Sequence, residues 1–161
     1  MPPSKSNEGS GLGNFVVRFT NAGQALGEAR KRNRLYNWPI IVEGPRDKRA
    51  LKSLGFTGPI EVLNRGWPIE RFVAHIYETY GTRNALVGES SICILMDWDR
   101  TGGRIQSDLR ERLMAMDSPV DERLRKTLLK AMKPEGRTVE SLLAYVPSLR
   151  PLVQRLVSDL E

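Results

Sequence analysis

Three acidic residues stand where apolar runs stop. Glu43 follows Trp38-Pro39-Ile40-Ile41-Val42, and Asp97 and Asp99 follow Ser91-Ile92-Cys93-Ile94-Leu95-Met96. Carboxylates gathered at strand ends are costly, since two of them about 5 Å apart repel by about 3 kcal/mol at an effective dielectric of about 20. A hard divalent cation removes that cost. Magnesium takes one or two carboxylates and completes its shell with water and substrate phosphate oxygens, which suits this donor set. The Asp-x-Asp spacing by itself carries little, because Asp159 and Glu161 repeat it and because either Asp97 or Asp99 could instead cap a helix starting near Gly102. If a strand continues through Asp99, its period of two turns both aspartates to one side and Trp98 to the other.

Composition removes other chemistries. The 161 residues include 25 Lys+Arg and 19 Asp+Glu, a net charge of +6, with 40% hydrophobic and 27% charged residues, the balance of a globular domain with a core. Cys93 and His75 are the only residues of their types, so no intrachain disulfide and no cysteine or histidine metal cage can form, and any metal rests on carboxylates. His75 reads as a partly buried or surface residue beside the core position Ile76, and Cys93 as a small buried hydrophobe. No Gly-rich phosphate loop occurs. No apolar run reaches the ~20 residues of a membrane span, and residues 1–13 lack the apolar stretch of a signal peptide, so the expected address is the cytoplasm.

The positive charge is local. Arg30, Lys31, Arg32, Arg34, Arg46, Lys48, Arg49 and Lys52, set against Glu43 and Asp47, account for the whole +6. Such a stripe suits a polyanion, whose released counterions drive binding, and it equally suits a solvated face; charge alone does not choose. Arg46, Arg100 and Arg104 lie nearest the acids in sequence and are candidates to steady phosphate oxygens, as Arg30, Lys31, Arg32 and Arg34 are for nucleic acid.

The elements that must position these residues follow from periodicity. Residues 1–13, rich in Pro, Ser and Gly, are expected to form a disordered tail. Residues 14–37 form an N-terminal helical segment, in which residues 15–19 could be a docking strand and Asn21 a cap. Residues 38–118 hold three strand-helix units, with strands at 38–42, 59–63 and 91–96, which imply a parallel sheet with right-handed crossovers. In a doubly wound order the first and third strands are neighbours, and ligands bind in the crevice beyond their carboxyl ends. Glu43, Asp97 and Asp99 then share its rim. Residues 119–161 read as helices packed on that core, with stripes at Leu124, Leu128 and Met132 and at Leu149, Val153 and Leu156.

Residues 40–51 (Ile-Ile-Val-Glu-Gly-Pro-Arg-Asp-Lys-Arg-Ala-Leu) and 94–103 (Ile-Leu-Met-Asp-Trp-Asp-Arg-Thr-Gly-Gly) closely resemble the Toprim domain. That module is shared by topoisomerases, bacterial-type primases, certain nucleases and recombination mediators. The plan of a helix in front and helices behind resembles the small stand-alone archaeal Toprim proteins, which are similar to the nuclease that matures 5S ribosomal RNA. The resemblance implies an α/β, Toprim-like (Rossmann-like) parallel sheet with flanking helices and a helical C-terminal extension. It makes Glu43 the catalytic general acid/base, able also to ligate a second metal, and Asp97 and Asp99 the ligands of Mg²⁺ or Mn²⁺. Asp47 matches a supporting acidic position, while Gly44 and Gly102 would let the backbone approach the site. The chain departs from many family members in that residues 117–121 read as a lead into a helix rather than a fourth strand. The implied activity is Mg²⁺-dependent hydrolysis of phosphodiesters, an endoribonuclease on structured RNA, with RNA favoured over DNA and no membrane partner. The alternatives are a non-catalytic nucleic-acid or protein-binding module, as in recombination mediators, and a DNA nuclease or primase-related activity.

Overall fold

Alternation along two short strands divides the interior. The computed structural model describes residues 4–84, 90 and 92–158, and within it Ile40, Val42, Cys93 and Leu95 join one apolar cluster while Ile41, Ile92, Ile94 and Met96 join another. The chain runs through α1 (Ser4–Tyr36), β1 (Ile40–Val42), α2 (Pro45–Ser53), β2 (Ile60–Val62), α3 (Ile69–Tyr80), β3 (Ile92–Ile94), α4 (Arg100–Ala115), β4 (Val120–Asp121), α5 (Arg123–Met132), a 3-10 helix (Glu140–Tyr145) and α6 (Val146–Ser158). The strands form a four-stranded sheet in the order β2-β1-β3-β4, with every pair parallel. Strands buried on both faces must be apolar throughout, and β1 and β3 are. Helices α3 and α4 cover one face, and α1, α2, α5 and α6 the other. The expected α/β class and the adjacency of the first and third strands are both met.

Three expectations fail for identifiable reasons. The stretch expected as a tail is helical from Ser4 onward, residues 1–3 lying outside the described residues, and residues 15–19 belong to α1 rather than to a strand. Phe19, Ala22, Leu26 and Ala29 are all buried, so Phe19 falls on a helical stripe that continues through the segment, and Asn21 lies inside the helix instead of capping it. Residues 120–121 do form a fourth strand, pairing Val120 with Ile92 and Asp121 with Cys93. At two residues it is too short to show a period. Third, the strand does not run on through Asp99: β3 ends at Ile94, and Trp98 joins the same cluster as Leu95 rather than pointing away from it.

One buried amide joins the first helix to the sheet. Asn33 has no exposed surface, donates from Nδ2 to the Trp38 carbonyl at 2.9 Å and the Pro59 carbonyl at 2.8 Å, and accepts from the Gly58 amide at 2.8 Å. It thereby fixes the entries to β1 and β2 against the end of α1. Asn33→Ala leaves the Trp38 carbonyl and the Gly58 amide without this partner and the Pro59 carbonyl with only the Ile40 amide at 3.2 Å, and a loss of about 3 kcal/mol is expected, lowering Tm by roughly 10 °C. The exposed neighbour Arg34, changed to Gln, should leave Tm nearly unmoved, which thermal melts of the two variants check.

Candidate active site

Parallel pairing of β1 with β3 sets Ile40 opposite Cys93 and Ile41 opposite Ile94, so the chain leaves both strands on the same edge of the sheet. Glu43 lies one residue past β1, within hydrogen-bonding reach of Asp97 and close enough to feel the charges of Asp47 and Asp99. The candidate acids are thus brought together. The backbone amide of Val139 donates to Asp97 Oδ1 at 2.8 Å, and the next amide, Glu140, donates to Asp47 Oδ1 at 3.1 Å. Asp47 Oδ2 accepts from the Gly44 amide at 3.0 Å, closing the first turn of α2. Asp99 is the N-cap of α4, its Oδ1 accepting from the Gly102 amide at 2.7 Å. The capping role and a role toward a cation are compatible, because a carboxylate has a second oxygen.

Close packing explains one of the two glycines. A Cβ on Gly102 would lie 1.9 Å from the Asp97 carbonyl oxygen, so α4 can begin against the strand exit only with glycine there. Gly44 has an extended backbone with φ −138°, and its Cβ would meet nothing nearer than Asp47 Oδ2 at 3.8 Å. The protein's own atoms therefore do not require glycine at position 44.

Burial and crowding shape the acids' proton affinities. Burial raises Asp97 to about 7, with the charges of Asp47, Glu43 and Asp99 pushing the same way and the Val139 amide opposing them. Burial, followed by the Asp47 charge, also raises Glu43. Asp47 is raised by burial against the pull of the Gly44 and Glu140 amides. Such a set stores unfavourable negative charge at neutral pH. Among the described residues no three His, Cys, Asp or Glu side chains form a ready-made metal cage, so a cation here would rest on one or two carboxylates.

The candidate cations separate into two groups. Arg30, expected to reach nucleic acid, is only 8% exposed and donates from Nε to the Gly55 carbonyl at 3.0 Å, tying α1 to the turn after α2. Arg32 pairs with Asp121 at 3.6 Å and lies over the Trp38 ring, so it too is structural. Their places in the sequence showed the charge but not the inward turn of the helix. Lys31 is half-buried and Arg34 exposed. Arg46 is 77% exposed despite an outer ion pair with Glu140, and Arg100 and Arg104 are exposed on the first turns of α4. Sequence reasoning missed Arg125, whose Nη2 and Nε donate to the carbonyls of Asp97 (2.9 Å) and Met96 (3.2 Å). Nor was any local signal present for Val139 and Glu140, whose contribution is main-chain amides. Trp98 is 4% exposed and donates from Nε1 to the Gly136 carbonyl at 2.7 Å. It packs.

Fold and rim together define a doubly wound parallel α/β protein with a carboxylate cluster at its topological switch point. No family model matches the chain. It is 33% identical over 111 residues to a UPF0292 protein of Methanosarcina acetivorans, covering 69% of this chain and 70% of the relative. A UPF0292 protein of Thermococcus onnurineus is 34% identical over 109 residues, covering 68% and 74%. The chain belongs to the UPF0292 family. Among solved structures, a protein from Aquifex aeolicus superposes with a TM-score of 0.56 at 26% identity, covering 73% of this chain and 94% of that one.

Asp97 gives the apoprotein a signed pH dependence. Between about 4, where an unfolded aspartate titrates, and about 7, the native state holds a proton that the unfolded chain has lost. Stability from this group is therefore full at low pH and is lost as pH rises through about 7. Asp97→Asn keeps the oxygen that accepts from Val139 and removes the charge. In metal-free melts it should match wild type below about pH 4 and exceed it at pH 8, the gap opening between about 4 and about 7.

Proposed function

We propose that the chain is a Mg²⁺-dependent nuclease of the Toprim type, hydrolysing phosphodiester bonds in structured RNA. The observation that carries this reading is the convergence of Glu43 with Asp97 and Asp99, drawn from two distant segments to one rim at an evident electrostatic cost. A fold that needed no cation there could replace Glu43 or Asp97 with a neutral side chain of the same shape and be rid of that repulsion.

The donor chemistry fits magnesium or manganese. Asp97 and Asp99 each have Oδ1 held by a backbone amide, which orients the carboxylate and leaves the second oxygen for a hard cation. A cation bound there would polarise the scissile phosphate and lower the pKa of a water molecule. Glu43, with its proton affinity raised by burial, is suited to take a proton from the attacking water or to return one to the leaving oxygen. Arg46, Arg100 and Arg104 are exposed beside the rim, where phosphate oxygens would meet them. RNA as substrate rests on the resemblance to the 5S ribosomal RNA maturation nuclease. Among the described residues no helix is long and apolar enough to cross a membrane.

The decisive comparison uses labelled structured RNA with and without Mg²⁺ or Mn²⁺. Wild type should cleave only with the cation, and Glu43→Gln should cut at least ~10²-fold more slowly with RNA affinity nearly unchanged. Asp97→Asn/Asp99→Asn should lose the rise in Tm that the cation gives to wild type. RNA binding without cation-dependent cleavage by wild type would instead identify a binding module.

A further inference from the structure

Beside the carboxylates lies a cleft of whose lining the proposed chemistry uses only Arg104. It is an open space of about 610 Å³, the size of small-ligand sites, lined by Leu63, Asn64, Trp67, Ile69, Arg104 and Ile105. Its connection to the rim is direct: the Leu63 amide donates to the Val42 carbonyl and the Asn64 amide to the Glu43 carbonyl, both at 2.9 Å. Arg104 follows from the other side, one turn into α4 from Asp99. Resting on the nuclease reading above, we propose that this cleft receives the base of an unpaired nucleotide next to the phosphate held at the carboxylate rim.

A base has two apolar faces and a polar edge, and the cleft has matching parts. Leu63, Trp67, Ile69 and Ile105 supply apolar and aromatic walls, while the exposed Asn64 amide and Arg104 guanidinium supply the donors and acceptor that read a base edge. Charge completes the match. The Arg71 guanidinium lies 4.3 Å from the Trp67 ring centroid, an exposed cation beside the cleft where a neighbouring backbone phosphate would run, while Arg65 is engaged by Glu61 at 2.9 Å and Asp108, which also lines the cleft, by Arg112 at 2.9 Å. No described carboxylate forms an ion pair with Arg71 or Arg104. A single-stranded nucleotide is required, because a paired base cannot present both faces and its edge to a protein.

The protein carries its own probe. Of its three tryptophans, Trp38 and Trp98 are buried at 1% and 4% exposure and Trp67 alone is half-exposed. Emission of the full chain is titrated with AMP, GMP, CMP and UMP in a metal chelator, with ribose 5-phosphate as the base-free control. At least one nucleotide should change the emission saturably while ribose 5-phosphate does not. Trp67→Phe should abolish the change, and Asn64→Ala and Arg104→Gln, both at exposed positions, should weaken the response by about tenfold without moving Tm. No response to any nucleotide, or an equal response to ribose 5-phosphate, overturns the proposal. The titration involves neither metal nor cleavage. A wild-type response without nuclease activity therefore counts against the nuclease reading alone, and cleavage without a response counts against the cleft alone.

Discussion

The parallel pairing of β1 with β3 is the constraint on which the rest depends. Two registered residue pairs, Ile40 with Cys93 and Ile41 with Ile94, bring together stretches that are remote in sequence. Both strands end at the same edge, so Glu43 and Asp97 meet. The apolar character of β1 and β3 is the physical cause, because only strands covered on both faces can lie at the centre of such a sheet. Gln106, buried in α4, secures the exit: it accepts from the Met96 amide at 3.1 Å and donates to the Ile94 carbonyl at 3.1 Å.

Around that rim, main-chain dipoles do what side-chain cations do not. Asp97, Asp47 and Asp99 are each steadied by backbone amides, whereas Arg125 gives its hydrogen bonds to carbonyl oxygens. Amides orient a carboxylate without cancelling its charge, and burial still leaves Asp97 and Asp47 resisting ionisation. A site designed only for stability would place a guanidinium on the carboxylates themselves. The basic stripe resolves in the same terms: Arg30 and Arg32 serve the packing of α1, while Arg34 and Arg46 are exposed.

What the sequence revealed was what depends on short-range pattern. The apolar runs and helical stripes gave the first three strands and α2 to α6, and the adjacency of β1 and β3 followed from the doubly wound pattern. The acids were legible because they stand directly after those runs, and Gly102 because it sits in the same loop as Asp97. Contacts that depend on tertiary closure were not legible. Nothing in the order of residues says that Val139 and Glu140 give their amides to the acids, that Arg125 reaches the Asp97 carbonyl, or that Arg30 turns inward while Arg34 turns out. The cleft at Asn64 and Trp67 escaped for a similar reason, since its walls come from two segments that meet only across the sheet.

The clasp of two consecutive amides on Asp97 and Asp47 bears on the order in which the protein is made. Chains emerge from the ribosome N-terminus first, at about 5–20 residues per second. Glu43, Asp47, Asp97 and Asp99 are therefore outside well before Val139 and Glu140, and the stripe of α1 waits for α5 and α6, its main packing partners, to follow. Residues 38–118 look like a module on paper, yet a nascent chain that has released only those residues holds the acids without the donors that orient them. The segment around Val139 and Glu140 is thus the last part of the site to arrive, and the site is completed only once those residues have emerged.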